Sequence, residues 1–130
     1  EISLLEAQQN LNNLISTIEN NGISKKLAIK ESSSIIYIDI EKVIHLKADG
    51  NYTTIILLNG RQIVSSKVLK YYADMLKKYG FYRIHRSNMI NLNYVKEFKH
   101  QYGGSVILTN NEEISVSPEK KKEFLSLISV

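Results

Sequence analysis

Apolar positions recur at two different periods along this chain. In the first segment Leu4, Ala7, Leu11, Leu14 and Ile18 are spaced three and four apart, with Leu5 and Ile15 beside them, which is the stripe of an amphipathic helix. Asn21-Gly22 supplies its stop, because Gly takes left-handed backbone without a Cβ clash. The stripe is also a short heptad seam. Residues 1–24 therefore read as an N-terminal linker helix that either pairs as a short coiled coil or packs on its own domain.

From Lys25 the pattern changes to short β-type runs between polar or Gly-containing turns, at 26–31, 34–38, 43–48, 52–58 and 62–65. Asn59-Gly60 predicts a type I′ turn, with positive φ at both positions, so the last two runs should pair as a hairpin. Residues 66–79 read as an interior helix, with Val68, Leu69, Tyr72, Met75, Leu76 and Tyr79 on one side and Gly80 as its stop. Next come a run at 81–85, a polar turn around Asn88 and runs at 94–99, 105–109 and 113–116, with turns at Gly103-Gly104 and Asn110-Asn111. Ser117 as N-cap and Pro118 at the first helical position open a terminal helix reaching about Ile128. No internal repeat is visible. The predicted class is mainly β: antiparallel sheets with one interior helix, a C-terminal helix and the N-terminal linker helix.

The length of 130 residues suits one domain with a real core, placed at 25–130. The chain has no cysteine, which excludes disulfides and thiolate metal sites and suits a reducing, cytoplasmic setting. It has no apolar run long enough to cross a membrane as a helix and no signal-peptide pattern. The net charge of +4 is unevenly spread: residues 61–100 carry nine bases against two acids, whereas residues 1–24 carry three acids and no Lys or Arg. A concentrated basic stretch attracts polyanions, of which DNA is the commonest for a small cytoplasmic domain; a solubilising surface would look the same in composition.

Candidate catalytic groups are few. His45, His85 and His100 are scattered without zinc-ligand spacing, and P-loop, GxGxxG and GxSxG motifs are absent. Neither enzymatic activity nor a metal or cofactor is expected. What stands out is a polar and basic cluster where β-type runs end, at Arg83-Ile84-His85-Arg86-Ser87-Asn88 and Asp49-Gly50-Asn51-Tyr52. The planar fork of Arg fits guanine O6 and N7, and Asn fits adenine. Read from composition alone, the same residues build ordinary surface turns.

Three segments in order, IIYIDIEKVIHLKADGNYTTIILLNGRQIVSSKVLKYYADML, FYRIHRSNMINLNYVKEF and GGSVILTNNEEISVSPEKKKEFL, resemble the LytTR family from about Lys25 to Ile128. The resemblance implies an elongated fold of stacked antiparallel sheets that binds double-stranded DNA through loops entering adjacent major grooves, with paired repeat sites for a homodimer. It implies base contacts from Asn51 and Tyr52 in a first loop and from His85, Arg86 and Asn88 in a second, Arg86 foremost. The family's third contact is a basic residue where this chain has Pro118, so Lys120, Lys121 or Lys122 would have to supply a substitute, against their simpler reading as a solvated helix face. Arg61, Lys67, Lys70, Arg83 and Lys96 are expected to contact phosphates, with Lys120 and Lys121 as further candidates. The chain starts at Glu1 inside an apparent helix, so a sensory or receiver domain is expected upstream, making this the output domain of a bacterial regulator. The competing reading is a β-rich protein-interaction module of a signalling assembly. RNA binding is less favoured, because neither an RNP-type aromatic pair nor a GxxG loop is present.

Overall fold

The computed structural model describes residues 3–16 and 25–130, with the backbone only for residues 12–16. Helix α1 (Leu4–Ser16) follows the predicted stripe; the expected Asn21-Gly22 stop lies outside the described residues. Among the described residues ten strands follow: β1 (Lys26–Lys30), β2 (Ile35–Asp39), β3 (Val43–Asp49), β4 (Tyr52–Leu57), β5 (Gln62–Ser65), β6 (Phe81–His85), β7 (Asn88–Asn91), β8 (Val95–Lys99), β9 (Ser105–Leu108) and β10 (Glu113–Ser115). Helix α2 (Leu69–Leu76) lies between β5 and β6, and α3 (Lys121–Ile128) follows β10. All pairings are antiparallel. The fold is mainly β, as expected.

The central layer is a five-stranded sheet in the order β5-β4-β3-β7-β6. One face packs under the β1-β2 hairpin and α2, in a core that includes Leu27, Ile29, Leu46, Ile55, Leu69, Tyr72 and Leu76. The other face packs under the sheet β10-β9-β8 and α3, in a second core around Ile44, Ile84, Ile90, Val106, Leu108 and Phe124. A sheet covered on both faces loses the simple in-out alternation, which is why β4 is buried at five successive positions.

Several local readings are corrected. Asn88 does not centre a turn: 88–91 is a strand between β3 and β6, and the chain reverses at Arg86-Ser87. A four-residue run bracketed by Asn has little strand signal of its own, and pairing on both sides supplies it. Asn59-Gly60 does not form a type I′ turn, since Gly60 has φ 88 but Asn59 is not left-handed. Instead Gly60 N–H donates to Leu57 O and Leu57 N–H to Arg61 O, each at 2.9 Å, a turn whose one left-handed residue closes a bulge. α2 is shorter than 66–79: Leu69 begins it, and a 3-10 turn at Lys77–Tyr79 leads to the left-handed Gly80. Ser117 occupies the N-cap position but its hydroxyl makes no cap bond, and Pro118–Lys120 is a 3-10 turn before α3.

The sequence shows no repeat, yet the fold repeats an order of elements. A 3-10 turn (Ile40–Lys42) leads into β3-β4-β5 and α2, and a 3-10 turn (Leu92–Tyr94) leads into β8-β9-β10 and α3. Both units have a bulge one residue after a valine, at Val43/His45 and at Val95/Glu97. Leu58 N–H donates to Lys42 O, and Thr109 N–H to Tyr94 O, both at 2.9 Å. In each second turn an Asn side chain accepts the amide two residues on, Asn59 from Arg61 at 2.9 Å and Asn110 from Glu112 at 3.1 Å. Gly60 and Asn111 hold the same left-handed place, φ 88 and 68. The two leading turns touch, the Tyr94 hydroxyl donating to Glu41 O.

Candidate nucleic-acid interface

The antiparallel register sorts the connections between two ends of the molecule. Asp49 pairs with Tyr52 across the β3-β4 tip, where Gly50 has φ 61. Lys47 pairs with Asn88, and beyond them Ala48 N–H donates to Ser87 O at 2.8 Å, so the β6-β7 turn lies beside the β3-β4 tip. Ser117 N–H reaches Ile84 O at 3.0 Å, and Val116 N–H reaches Gly104 O at 3.1 Å. Backbone bonds thus carry the row from residues 49–52 through 85–88 and 117 to the β8-β9 tip. Thr53 pairs with Ser65 and its hydroxyl donates to Lys67 O at 2.8 Å, which brings the β5-α2 junction to this end too.

Within the row the β6-β7 turn is internally braced. Arg83 donates from Nε and Nη2 to Arg86 O, at 3.2 and 2.6 Å. Ser87 N–H donates to His85 Nδ1 at 3.1 Å, a bond that leaves Nε2 as the ring nitrogen not used in closing the turn. The Arg86 side chain is exposed, as are Asn51 and Tyr52. One layer below, His45 is 2% exposed and its Nε2–H donates to Asn88 Oδ1 at 2.8 Å. Burial holds the His45 pKa below 6.5, against the opposing pull of the Asn88 bond and of Glu112; its Nδ1 is buried with no partner among the described residues. The imidazole is therefore neutral near pH 7 and acts as a strut. Among the described residues, no three His, Asp or Glu side chains stand together as a metal site would require.

Residues 33–129 match the profile of the LytTr DNA-binding domain. The chain belongs to the LytTR family. A solved LytTr DNA-binding domain, from a methyl-accepting/DNA response regulator of Bacillus cereus, shares the fold at a TM-score of 0.69 and 22% identity, covering 82% of this chain and 99% of that one. Among curated proteins, nothing matches. The family is one of DNA-binding domains, not of enzymes, and no described helix is long and apolar enough to cross a membrane.

The LytTR fold distributes the basic residues unequally. Lys67, set 5.4 Å over the Tyr71 ring, lies at the junction before α2, and Lys70 is exposed in the helix's first turn. Arg61 and Lys96 are at the opposite end, beside the turns at 57–61 and 108–112; Lys96 Nζ donates to Asn111 Oδ1 at 3.1 Å. Lys120 and Lys121 are half-buried, each with Nζ 5.7 Å from a ring centroid, of Tyr82 and Phe98 respectively. Sequence reasoning missed the bracing role of Arg83 and the strut His45–Asn88. Neither has a local signature, since Arg83 acts through a turn it helps to close and His45 and Asn88 meet only through β3-β7 pairing.

Proposed function

We propose that this LytTR domain is the output module of a transcriptional regulator and reads double-stranded DNA in the major groove with its inter-strand loops. The observation that carries the reading is the joining of the β3-β4 tip and the β6-β7 turn by the Ala48–Ser87 bond, with Arg86, Asn51 and Tyr52 exposed on them. Arg86 on a braced turn is the main base-reading residue, with Asn51, Tyr52 and Nε2 of His85 beside it. Asn88 assists chiefly by fixing β7 against His45, and its amide nitrogen is the group left to face DNA. Lys67 and Lys70 contact phosphates next to the reading loops. Arg83 combines phosphate attraction with its bond to Arg86 O, whereas Arg61 and Lys96 act on the long-range potential from the far end.

Use on paired repeats by a homodimer is part of the same proposal. Leu4 and Leu11, seven residues apart on α1, are 86% and 55% exposed, and Leu5 beside them is 77% exposed, a seam uncovered by the described residues that suits a second copy. The test is selection of bound sequences from a random duplex pool by wild type, Arg86→Ala and Lys70→Ala. Wild type enriches a repeated motif. Arg86→Ala lowers discrimination by about 1–3 kcal/mol at one base pair per half-site, while Lys70→Ala weakens all duplexes alike and flattens the salt dependence. Enrichment of no motif by wild type would reject sequence-specific reading and favour a protein-interaction module.

A further inference from the structure

The repeat makes the two hairpin tips counterparts: the β3-β4 tip carries Asn51 and Tyr52, and the β8-β9 tip, Gln101–Gly103, occupies the same place in the second unit. The bonds from Val116 to Gly104 and from Ser117 to Ile84 bring the second tip to the reading end, about two strand spacings, or roughly 10 Å, beyond β6. Tyr102 is 101% exposed, so its ring adds nothing to the core. Its backbone is left-handed, φ 54 and ψ 39, a conformation that disfavours a side chain and that Gly would adopt freely. An aromatic residue held at a cost to the fold, with no packing in return, points to a task outside the fold.

The surroundings suit an anion. The segment from Lys99 to Ser105 contains no carboxylate. The nearby Glu113 is engaged by Lys99 at 3.6 Å and by the Ser105 hydroxyl at 3.0 Å. Lys121 borders the tip, its Cδ 3.8 Å from where a Cβ on Gly104 would lie. The tip stands at the edge of the row, and the groove edge is where DNA presents its phosphates.

We propose that the β8-β9 tip is a further DNA-contacting element, in which the Tyr102 hydroxyl donates a hydrogen bond to a backbone phosphate beyond the bases read by the Arg86 turn. This rests on the DNA-binding reading above. It places a neutral contact on a surface whose neighbouring Pro118 has no side-chain charge to offer.

The experiment measures binding of wild type, Tyr102→Gly and Tyr102→Phe to a labelled random-sequence duplex and to the best duplex selected from it, across a salt series, with thermal melting of each protein. Tyr102→Gly and Tyr102→Phe are expected to bind both duplexes about 3–10-fold more weakly. Their salt slopes should equal that of wild type, because the lost donor carries no charge. Tyr102→Gly should also melt higher, by roughly 3 °C, which separates lost binding from lost folding. Wild-type affinity in both variants would overturn the contact. Weak binding by Tyr102→Gly with wild-type binding by Tyr102→Phe would overturn the hydroxyl assignment in favour of a ring contact. Failure of wild type itself to bind either duplex would instead overturn the DNA reading, and this inference with it.

Discussion

The two three-strand units start from like 3-10 turns, bulge after a valine and reverse through an Asn-bonded turn, yet their first strands differ in how much the neighbouring layers cover them. β3 is buried at four successive positions, while its counterpart β8 has none buried outright. His45, in the bulge of the first unit, is enclosed; Glu97, in the same place in the second, is exposed. Local devices set register and reversal, but the neighbours of a sheet decide which positions are interior. The tips differ as well. The first uses Gly50 for its left-handed residue, followed by Asn51 and Tyr52; the second puts Tyr102 itself in that conformation, ahead of Gly103 and Gly104 at positive φ.

The largest effect should come from removing the anchor of the outer unit. Phe124 is 1% exposed and packs near the rings of Tyr82 and Phe98. Phe124→Ala should cost about 3–5 kcal/mol in urea denaturation, with loss of hydrogen-exchange protection in α3; a cost below about 1 kcal/mol would mean that another contact holds that unit. Next in size is a pair of equivalent positions. Asn91, 1% exposed, donates from Nδ2 to Val43 O at 3.0 Å and accepts Asn93 N–H at 3.0 Å. Asp39 stands in its place in the first unit and bonds the exposed Lys26 instead, without capping its turn. Asn91→Ala should cost about 1–3 kcal/mol by removing the buried bonds to the Val43 carbonyl and the Asn93 amide, and Asp39→Ala less than about 1 kcal/mol. Equal costs would dissolve the distinction between the units.

A smaller difference tests the shared turn. Gly60→Asn should change stability by less than about 0.5 kcal/mol, because Asn111 already holds that left-handed place, whereas Gly60→Val should lose roughly 1–2 kcal/mol. The last comparison is with acid. Burial holds the His45 pKa below its unfolded value of 6.5, so the unfolded chain binds more protons as pH falls through that value. The resulting stability is complete above pH 6.5 and is lost as pH falls toward the lower folded-state pKa. Denaturation midpoints measured between about pH 7.5 and about pH 5.5 should show this loss in wild type and a flatter profile in His45→Gln. A slope identical in both would remove His45 from the account.

Much of the fold was legible along the chain. The run at 81–85, the stop at Gly80 and the hairpin reversal at Asn59-Gly60 all sit where their residues place them. The type of that reversal was not legible, because Asn-Gly supports either turn and the strand ends decide between them. β7 was missed since Asn88-Met89-Ile90-Asn91 becomes a strand only between β3 and β6. Of the proposed site, the residue types were legible, but not that Arg83 braces Arg86 or that Arg61 lies at the far end.

The sequence by itself determined the β-rich class, the places of most reversals, the basic middle of the chain and the segments by which the family is known, because each depends on a few neighbouring residues. Tertiary structure alone decided which loops share an end, which bulge faces a core and which Tyr stands free at a tip. Those outcomes follow from pairings between segments far apart in the chain, whose energies no local window of residues contains.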